Sequence, residues 1–262
     1  MGTITKALDL LTHFSAARPE IGLSQFVRLS GRDKATVHRH LTELEANGFL
    51  DQNRASRAYR LGPALLRLAA VREAASPTRD LLRPIVTDLA ESVGELAHAS
   101  LLQSDGLSSV CHADPRLHGT QVHFDEAEIL PLHATASGLA VLAFADPELA
   151  ERVLSRPLSC FTDRTIVDSG RLMRMIEEVR QTGFSQLIGT FDDEVASQAA
   201  PVFGAEDSVI GAIAVAVPAV RAPQDRLQQI TSDLCRAARA ASRSLGGTYP
   251  DLPIAAPRRA SA

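Results

Sequence analysis

The stretch LSQFVRLSGRDKATVHRHLTELEANGFL, residues 23–50, decides the fold of the N-terminal part of this chain. Phe26, Val27 and Leu29 make a short apolar helix face that Ser24 can cap. Gly31 follows, the residue most at ease in the left-handed conformation that ends a helix. Asp33 offers a side-chain acceptor to the free amides of a second helix, with Val37, Leu41 and Leu44 at i, i+4, i+7 as its buried face and Gly48 as its stop. A short helix, a tight turn and a longer helix make a helix-turn-helix. The outward positions Lys34, Thr36, His38, Arg39, His40 and Thr42 are almost all hydrogen-bond donors, as a helix lying in the major groove requires. Ser24 and Gln25, at the start of the shorter helix, complete the candidate DNA-binding set on these two helices.

Working outward, Ile4, Ala7, Leu8 and Leu11 keep helical spacing and Phe14 continues their stripe until Pro19 stops it. Downstream, Phe49–Gln52 and Tyr59–Leu61 predict two short strands around residues 53–57, which makes the unit a winged helix. Arg54 and Arg57 at the wing tip are placed to meet phosphates or a minor groove. Charge agrees with this placement. Residues 1–75 carry 11 Lys and Arg against 7 Asp and Glu, net +4, while the remainder carries 16 against 24, net −8. A basic head on an acidic body puts the polyanion-binding face in the first quarter of the chain.

The order KALDLLTHF, then residues 23–50, then YRLGPALLRLA closely resembles the N-terminal DNA-binding domain of the IclR family of bacterial transcriptional regulators. Thr36–Arg39, Gly48–Leu50 and Tyr59–Gly62 match that family's pattern in order and spacing. His40 stands where the family usually has a leucine, and Asp33 and Ala35 replace its common proline and serine.

Pro63 opens a further helix, with Leu65, Leu66, Leu68, Ala69 and Val71 supplying apolar faces up to Ser76-Pro77. From residue 96, short strands at 97–102, 107–111, 121–124, 184–188, 198–203 and 209–217 alternate with helices at 136–145, 147–155, 169–182 and 224–245. Hairpins with helices packed on a sheet make this an α+β domain. LPLHATASG at 130–138, FTDRTI at 161–166 and AAPVF at 199–203 are similar to the family's effector-binding domain, a GAF-like fold. The expected architecture is an N-terminal winged helix-turn-helix (1–62), a linker helix (63–77), a GAF-like antiparallel-sheet effector domain (78–247) and a disordered tail (248–262).

Free backbone amides at a helix start suit a carboxylate, and His133–Gly138 precedes an apolar helical run. Ala136 and Ser137 are the candidate contacts, with Leu130 beside them, and His133 reads as a structural hydrogen-bonding residue. The resemblance implies a pocket that also includes Val122, Leu187, Val195, Ser197, Ala214 and Ala216. In relatives that bind two- and three-carbon keto acids, several of these positions are polar. A very small polar effector would leave oxygens unpaired against Leu187, Ala214 and Ala216, costing roughly 1–3 kcal/mol each. The expected ligand is therefore an aromatic or otherwise apolar monocarboxylate. Gln186 and Gln198 could add polar contacts, but Gln186 flanks Leu187 in a strand, so only one of that pair points inward.

Two other readings use the same body. GAF-like domains occur in thiol-based reductases, for which Cys111 is the candidate, but Cys111, Cys160 and Cys235 show no pairing. Cys111, His112, Asp114, His118 and His123 invite zinc, yet adjacent Cys111 and His112 point to opposite faces of a strand. The sequence shows no Ser-His-Asp spacing, phosphate loop or paired-carboxylate motif, and no cofactor or enzyme activity is implied. No apolar run reaches the roughly 18 residues of a spanning helix and no signal peptide opens the chain, so the expectation is a cytoplasmic protein. Together these readings predict a DNA-binding regulator, leaning repressor. It would act as a homodimer or dimer of dimers on a pseudo-palindromic double-stranded operator, under control of a small organic acid.

Overall fold

The structure, a computed structural model, describes residues 2–15, 17–75 and 78–251. The chain divides into two compact units, Met1–Pro77 and Thr78–Ala262.

In the first unit α1 (Thr3–Leu11), α2 (Leu23–Ser30) and α3 (Lys34–Ala46) precede an antiparallel pair, β1 (Leu50–Gln52) and β2 (Tyr59–Leu61), and then α4 (Pro63–Ala75). One core joins all of them but α4: Leu10, Ile21, Phe26, Val37, Leu41, Leu44, Leu50 and Tyr59 are all buried. Phe26 lies at its centre, edge-on to Phe14 at 5.6 Å and to Tyr59 at 6.4 Å. Gly31 caps α2 in the left-handed region at φ 63°, which lets the chain turn directly into α3. Arg32 in that turn pairs with Asp9 of α1 at 2.6 Å and donates to the Lys6 carbonyl at 2.7 Å, tying the three helices together. The expected cap at Ser24 is corrected: α2 begins after Gly22, so Ser24 lies inside the first turn and makes no cap hydrogen bond.

The second unit is a six-stranded antiparallel sheet in the order β5-β4-β3-β8-β7-β6. Its strands are β3 (Leu96–Gln103), β4 (Gly106–Ala113), β5 (Ile129–Pro131), β6 (Ser185–Ile188), β7 (Val195–Phe203) and β8 (Val209–Pro218). Alternation along β8 sorts the two faces. Ile213, Val215 and Val217 pack with Leu82, Val86 and Leu89 of α5 (Thr78–Val93) and Ile230 and Leu234 of α9 (Gln224–Ser244). Ala212 and Ala214 face α6 (Ala136–Phe144), which is backed by Leu172 and Ile176 of α8 (Ser169–Thr182), with α7 (Pro147–Leu154) alongside. Helix α6 is apolar all round, and residues 136–143 are all buried, as a helix held between a sheet and another helix must be. Small residues on β8 let it lie close.

Two expectations are corrected here. Residues 121–124 form no strand, since the edge of β4 is paired instead by β5, at Gly106–Ser108. The alternation of Val122 and Phe124 reports one-sided burial of a loop, because Phe124 packs on His98 and His112 with ring centroids 4.6 and 5.3 Å away. The tail does not lose structure at residue 248. The Thr248 amide donates to Asp207 Oδ1 at 2.8 Å, and Tyr249 packs on Phe203 at 5.4 Å while its hydroxyl donates to the Gly183 carbonyl at 3.2 Å. One half-buried aromatic with polar anchors docks a segment that has no periodicity. Residues 252–262 of the expected tail lie outside the described residues.

Candidate functional site

On α3 the cap sets which side chains face outward. Asp33 accepts from the Thr36 amide at 2.8 Å, and hydrogen bonds from Thr36 hold its carboxyl below the usual carboxylate range. With Val37, Leu41 and Leu44 buried, Lys34, His38, Arg39 and Thr42 are exposed and Thr36 is half-buried. Ser24 is exposed on α2 and Gln25 half-buried. At the wing, Asn53 Oδ1 accepts from the Ala55 and Ser56 amides, Arg57 takes a φ of 59°, and Arg54 and Arg57 are both exposed.

His40 departs from the expected set. It is 3% exposed and its Nε2 has no hydrogen-bond partner, so it cannot reach a base edge. Positions 37, 40, 41 and 44 share one helical face, and that geometry overrides the polar character of the residue type. Burial, then Arg39 and Arg32, push its pKa down. His40→Leu, which removes the unpartnered nitrogen, should stabilise the chain by about 1 kcal/mol and leave DNA affinity unchanged. A histidine kept neutral in the fold loses stability as pH falls below its unfolded value of about 6.5. The gain should therefore be larger at pH 5 than at pH 7 in urea melts.

The second unit holds a cavity of about 490 Å³ at one end of the α6 face of the sheet. Val195 and Ser197 of β7, Ala216 of β8 and His98 of β3 line it from the sheet, and residues 134–137 at the start of α6 line it from the helix side. Residues 122–125 with Glu128 and Leu130, Phe161 and Thr162, and residues 190–193 complete the lining.

Hydroxyls around the α6 start have already taken its carbonyls. Thr190 Oγ1 donates to the Ala134 carbonyl at 2.7 Å, Ser185 Oγ to that of Ala136 at 2.6 Å, and Thr135 Oγ1 to that of Pro131 at 2.8 Å. Thr135 also caps the helix, accepting from the Gly138 amide at 3.1 Å, while the Leu139 amide returns to the Thr135 carbonyl. The amides of Ala136 and Ser137 have no acceptor among the described residues. The cavity thus meets donors at the positive end of a helix, a setting for an anionic oxygen.

Three phenyl rings, Phe124, Phe161 and Phe191, join Val122, Leu130, Val195 and Ala216 in the apolar part of the wall, with Phe161 and Phe191 5.0 Å apart. His98 is 5% exposed and its Nδ1 lies 3.2 Å from Ser100 Oγ. Burial, and then the neighbouring His112, push its pKa down to about 4, so it is neutral near pH 7. Asp125, Glu128, Asp192 and Asp193 are the lining carboxylates, and no Lys or Arg among the described residues lines the cavity. Burial, then Asp125, push the Glu128 carboxyl up.

Of the expected pocket residues, Val122, Leu130, Ala136, Ser137, Val195, Ser197 and Ala216 line this cavity. Leu187 and Ala214 do not, because both are buried in the core packed around α6. Gln186 and Gln198 turn to the opposite face, where Gln198 Nε2 donates to Gln186 Oε1 at 2.8 Å and lies 3.1 Å from Thr231 Oγ1 of α9. His133 Nε2 pairs with the Ser159 carbonyl at 2.9 Å, a structural role. Sequence reasoning missed His98, the three phenylalanines and Thr190. A polar pair at His98 and Ser100, two apart in an otherwise apolar strand, is the signal that could have found His98.

Neither alternative chemistry finds support in the geometry. Cys111 and Cys235 are buried, and burial pushes both thiols up, Cys235 to about 11. Cys111 packs under α5, whereas His112 pairs with Glu126 at 2.7 Å. No group of three His, Cys, Asp or Glu side chains among the described residues is placed to hold a metal, and no helix among them is long and apolar enough to cross a membrane.

Comparison with known proteins adds to this geometry. Residues 3–54 match the family model described as the IclR helix-turn-helix domain, and residues 75–243 that of the bacterial transcriptional regulator IclR C-terminal domain. A glycerol operon regulatory protein of Streptomyces griseus is 31% identical over 93% of this chain and 96% of its own. The crystal structure of an IclR transcriptional regulator from Silicibacter sp. TM1040 is 45% identical, with a TM-score of 0.88 over 96% of this chain and all of that one. That of an IclR homolog from Microbacterium hydrocarbonoxydans, complexed with 4-hydroxybenzoate, superposes with a TM-score of 0.76 over 93% of this chain and 99% of its own, at 24% identity.

Proposed function

The chain belongs to the IclR family of DNA-binding transcriptional regulators, and from that premise we propose that an aromatic monocarboxylate, held in the cavity of the second unit, controls its affinity for an operator. The observation that carries this reading is the pairing of free Ala136 and Ser137 amides with a phenyl-lined wall in one cavity of about 490 Å³. The amides accept one carboxylate and the rings cover an aromatic body. Carboxylates in the lining, with no Lys or Arg among its described residues, favour a monoanion over a dianion. The 4-hydroxybenzoate bound by the Microbacterium homolog belongs to the same chemical class.

At the head, Lys34, Thr36, His38 and Arg39 enter the major groove, Arg54 and Arg57 hold the backbone from the wing, and Ser24 and Gln25 flank them. Exposed Ile4 and Leu8 on α1 and Leu66, Leu68 and Val71 on α4 give the head apolar surface for a second copy, so that two heads read a pseudo-palindrome. We read the protein as a cytoplasmic repressor, since operator occupancy alone blocks transcription and asks for no further contact surface. The ligand acts by binding the DNA-competent and incompetent arrangements unequally.

Both halves of this reading can be tested on the full chain. Arg39→Ala and Lys34→Ala should each weaken binding to a selected operator fragment by about 1–3 kcal/mol if a base contact is lost, or lower the salt slope by about 1 if a phosphate contact is lost. Unchanged affinity in both variants would remove α3 from the groove. A melting scan against benzoate, 4-hydroxybenzoate, glyoxylate and pyruvate should show a raised Tm with the aromatic acids only. A rise with the keto acids alone would overturn the choice of ligand class.

A further inference from the structure

We propose that His98 is the specificity-determining residue of the cavity, its Nε2–H donating to a ligand oxygen other than the carboxylate at the α6 start, so that the effector is a hydroxylated aromatic monocarboxylate. The inference rests on the effector reading above and assigns a residue and a second functional group to it.

The tautomer of His98 follows from its partner. Ser100 is 1% exposed, and His98 Nδ1 is the one hydrogen-bond partner of its hydroxyl among the described residues. If Nδ1 carried the proton and donated, the Ser100 O–H would be buried with no acceptor, which is the costlier arrangement. Ser100 therefore donates to Nδ1, and the ring proton sits on Nε2. That nitrogen has no hydrogen-bond partner among the described residues, and His98 lines the cavity. Phe124, packed on the ring at 4.6 Å, holds its plane.

The surroundings make this donor selective. Ala216 of the next strand and the Phe124 ring offer it no acceptor, and being neutral it carries no charge to draw a second carboxylate. An aromatic acid without another oxygen would leave the N–H buried and unmatched, whereas a ring hydroxyl of suitable position accepts from it. Selection here is by hydrogen bonding rather than by ion pairing.

Isothermal titration of the full chain with benzoate, 3-hydroxybenzoate and 4-hydroxybenzoate tests this directly. One hydroxybenzoate should bind about tenfold more tightly than benzoate, the worth of one hydrogen bond. In His98→Leu the ratio of hydroxybenzoate to benzoate affinity should fall to near unity, and His98→Gln, whose amide nitrogen can take the place of Nε2, should restore part of it. Ser100→Ala, which leaves the imidazole in place but frees its tautomer, should lower the preference without loss of fold. A hydroxyl preference that persists in His98→Leu overturns the assignment. So does benzoate binding with no hydroxyl preference in the unaltered protein, though the effector reading then still stands. If none of the three acids binds, the effector reading fails and takes this one with it.

Discussion

Gly138→Ala should destabilise the second unit by about 3 kcal/mol, the upper end of the usual cost of overpacking, and lower its Tm by roughly 6–12 °C. A Cβ at this position would lie 2.3 Å from the Leu132 carbonyl oxygen, 2.4 Å from the Leu132 Cα and 2.5 Å from its carbonyl carbon. These are backbone atoms, so no side-chain rotation relieves the clash. Helix α6 must lift from the strand that precedes it or the 132–135 turn must open. Either movement strains the Thr135 cap, whose acceptor is met by the amide of Gly138 itself. The amides of Ala136 and Ser137 would move with the helix, so ligand-dependent stabilisation should fall along with the Tm. Calorimetry of the full chain with and without 4-hydroxybenzoate reads both effects. A variant as stable as the unaltered protein would show that α6 can slide without cost, against the packing described for it.

Acidification from pH 7 to pH 4 should cost the second unit about 3 kcal/mol through His98 alone. The group is neutral in the fold, with a pKa of about 4, against about 6.5 when unfolded. Its contribution is fully present above pH 6.5, because neither state then binds the proton. Between pH 6.5 and 4 the unfolded chain takes up a proton that the folded chain refuses, so stability falls as pH falls. Below about pH 4 both states are protonated and the loss levels off. His98→Gln should be flatter than the unaltered protein over that window in urea melts at fixed ionic strength. Parallel curves for the two would mean that water or a neighbouring carboxylate already stabilises the imidazolium in the fold.

The head was legible because its signals are local. Asp33, Gly31 and the Val37–Leu41–Leu44 spacing each act within one or two turns, and the structure places α2 and α3 where they indicate. His40 was misjudged for the same reason that the helix was found: the arc of buried positions is a matter of geometry, and a polar residue type does not exempt a position from it. In the second unit the strands of alternating apolar residues were readable, β8 most clearly, since its two faces meet different helices. The lining of the cavity was only half readable. Val195, Ser197 and Ala216 are on strands, but Phe161, Thr190 and Phe191 come from irregular segments brought together by hydroxyl-to-carbonyl bonds such as Thr162 to Gly189 and Thr165 to Thr190. Those closures depend on long-range contacts that leave no periodic trace. The same holds for Tyr249, a single side chain that anchors a segment of otherwise featureless composition.

The floor of the cavity is made by strand ends, while the middles of the same strands build the core. Ala214 is locked under α6, yet Ala216, two residues along β8, borders open space, as does Ser197, its register partner on β7. Substitutions at 197 and 216 can therefore change the shape of the site at small cost to folding, whereas Ala214 admits little change. A lineage of such proteins can drift in what this cavity admits through a few floor positions while the surrounding scaffold stays constant.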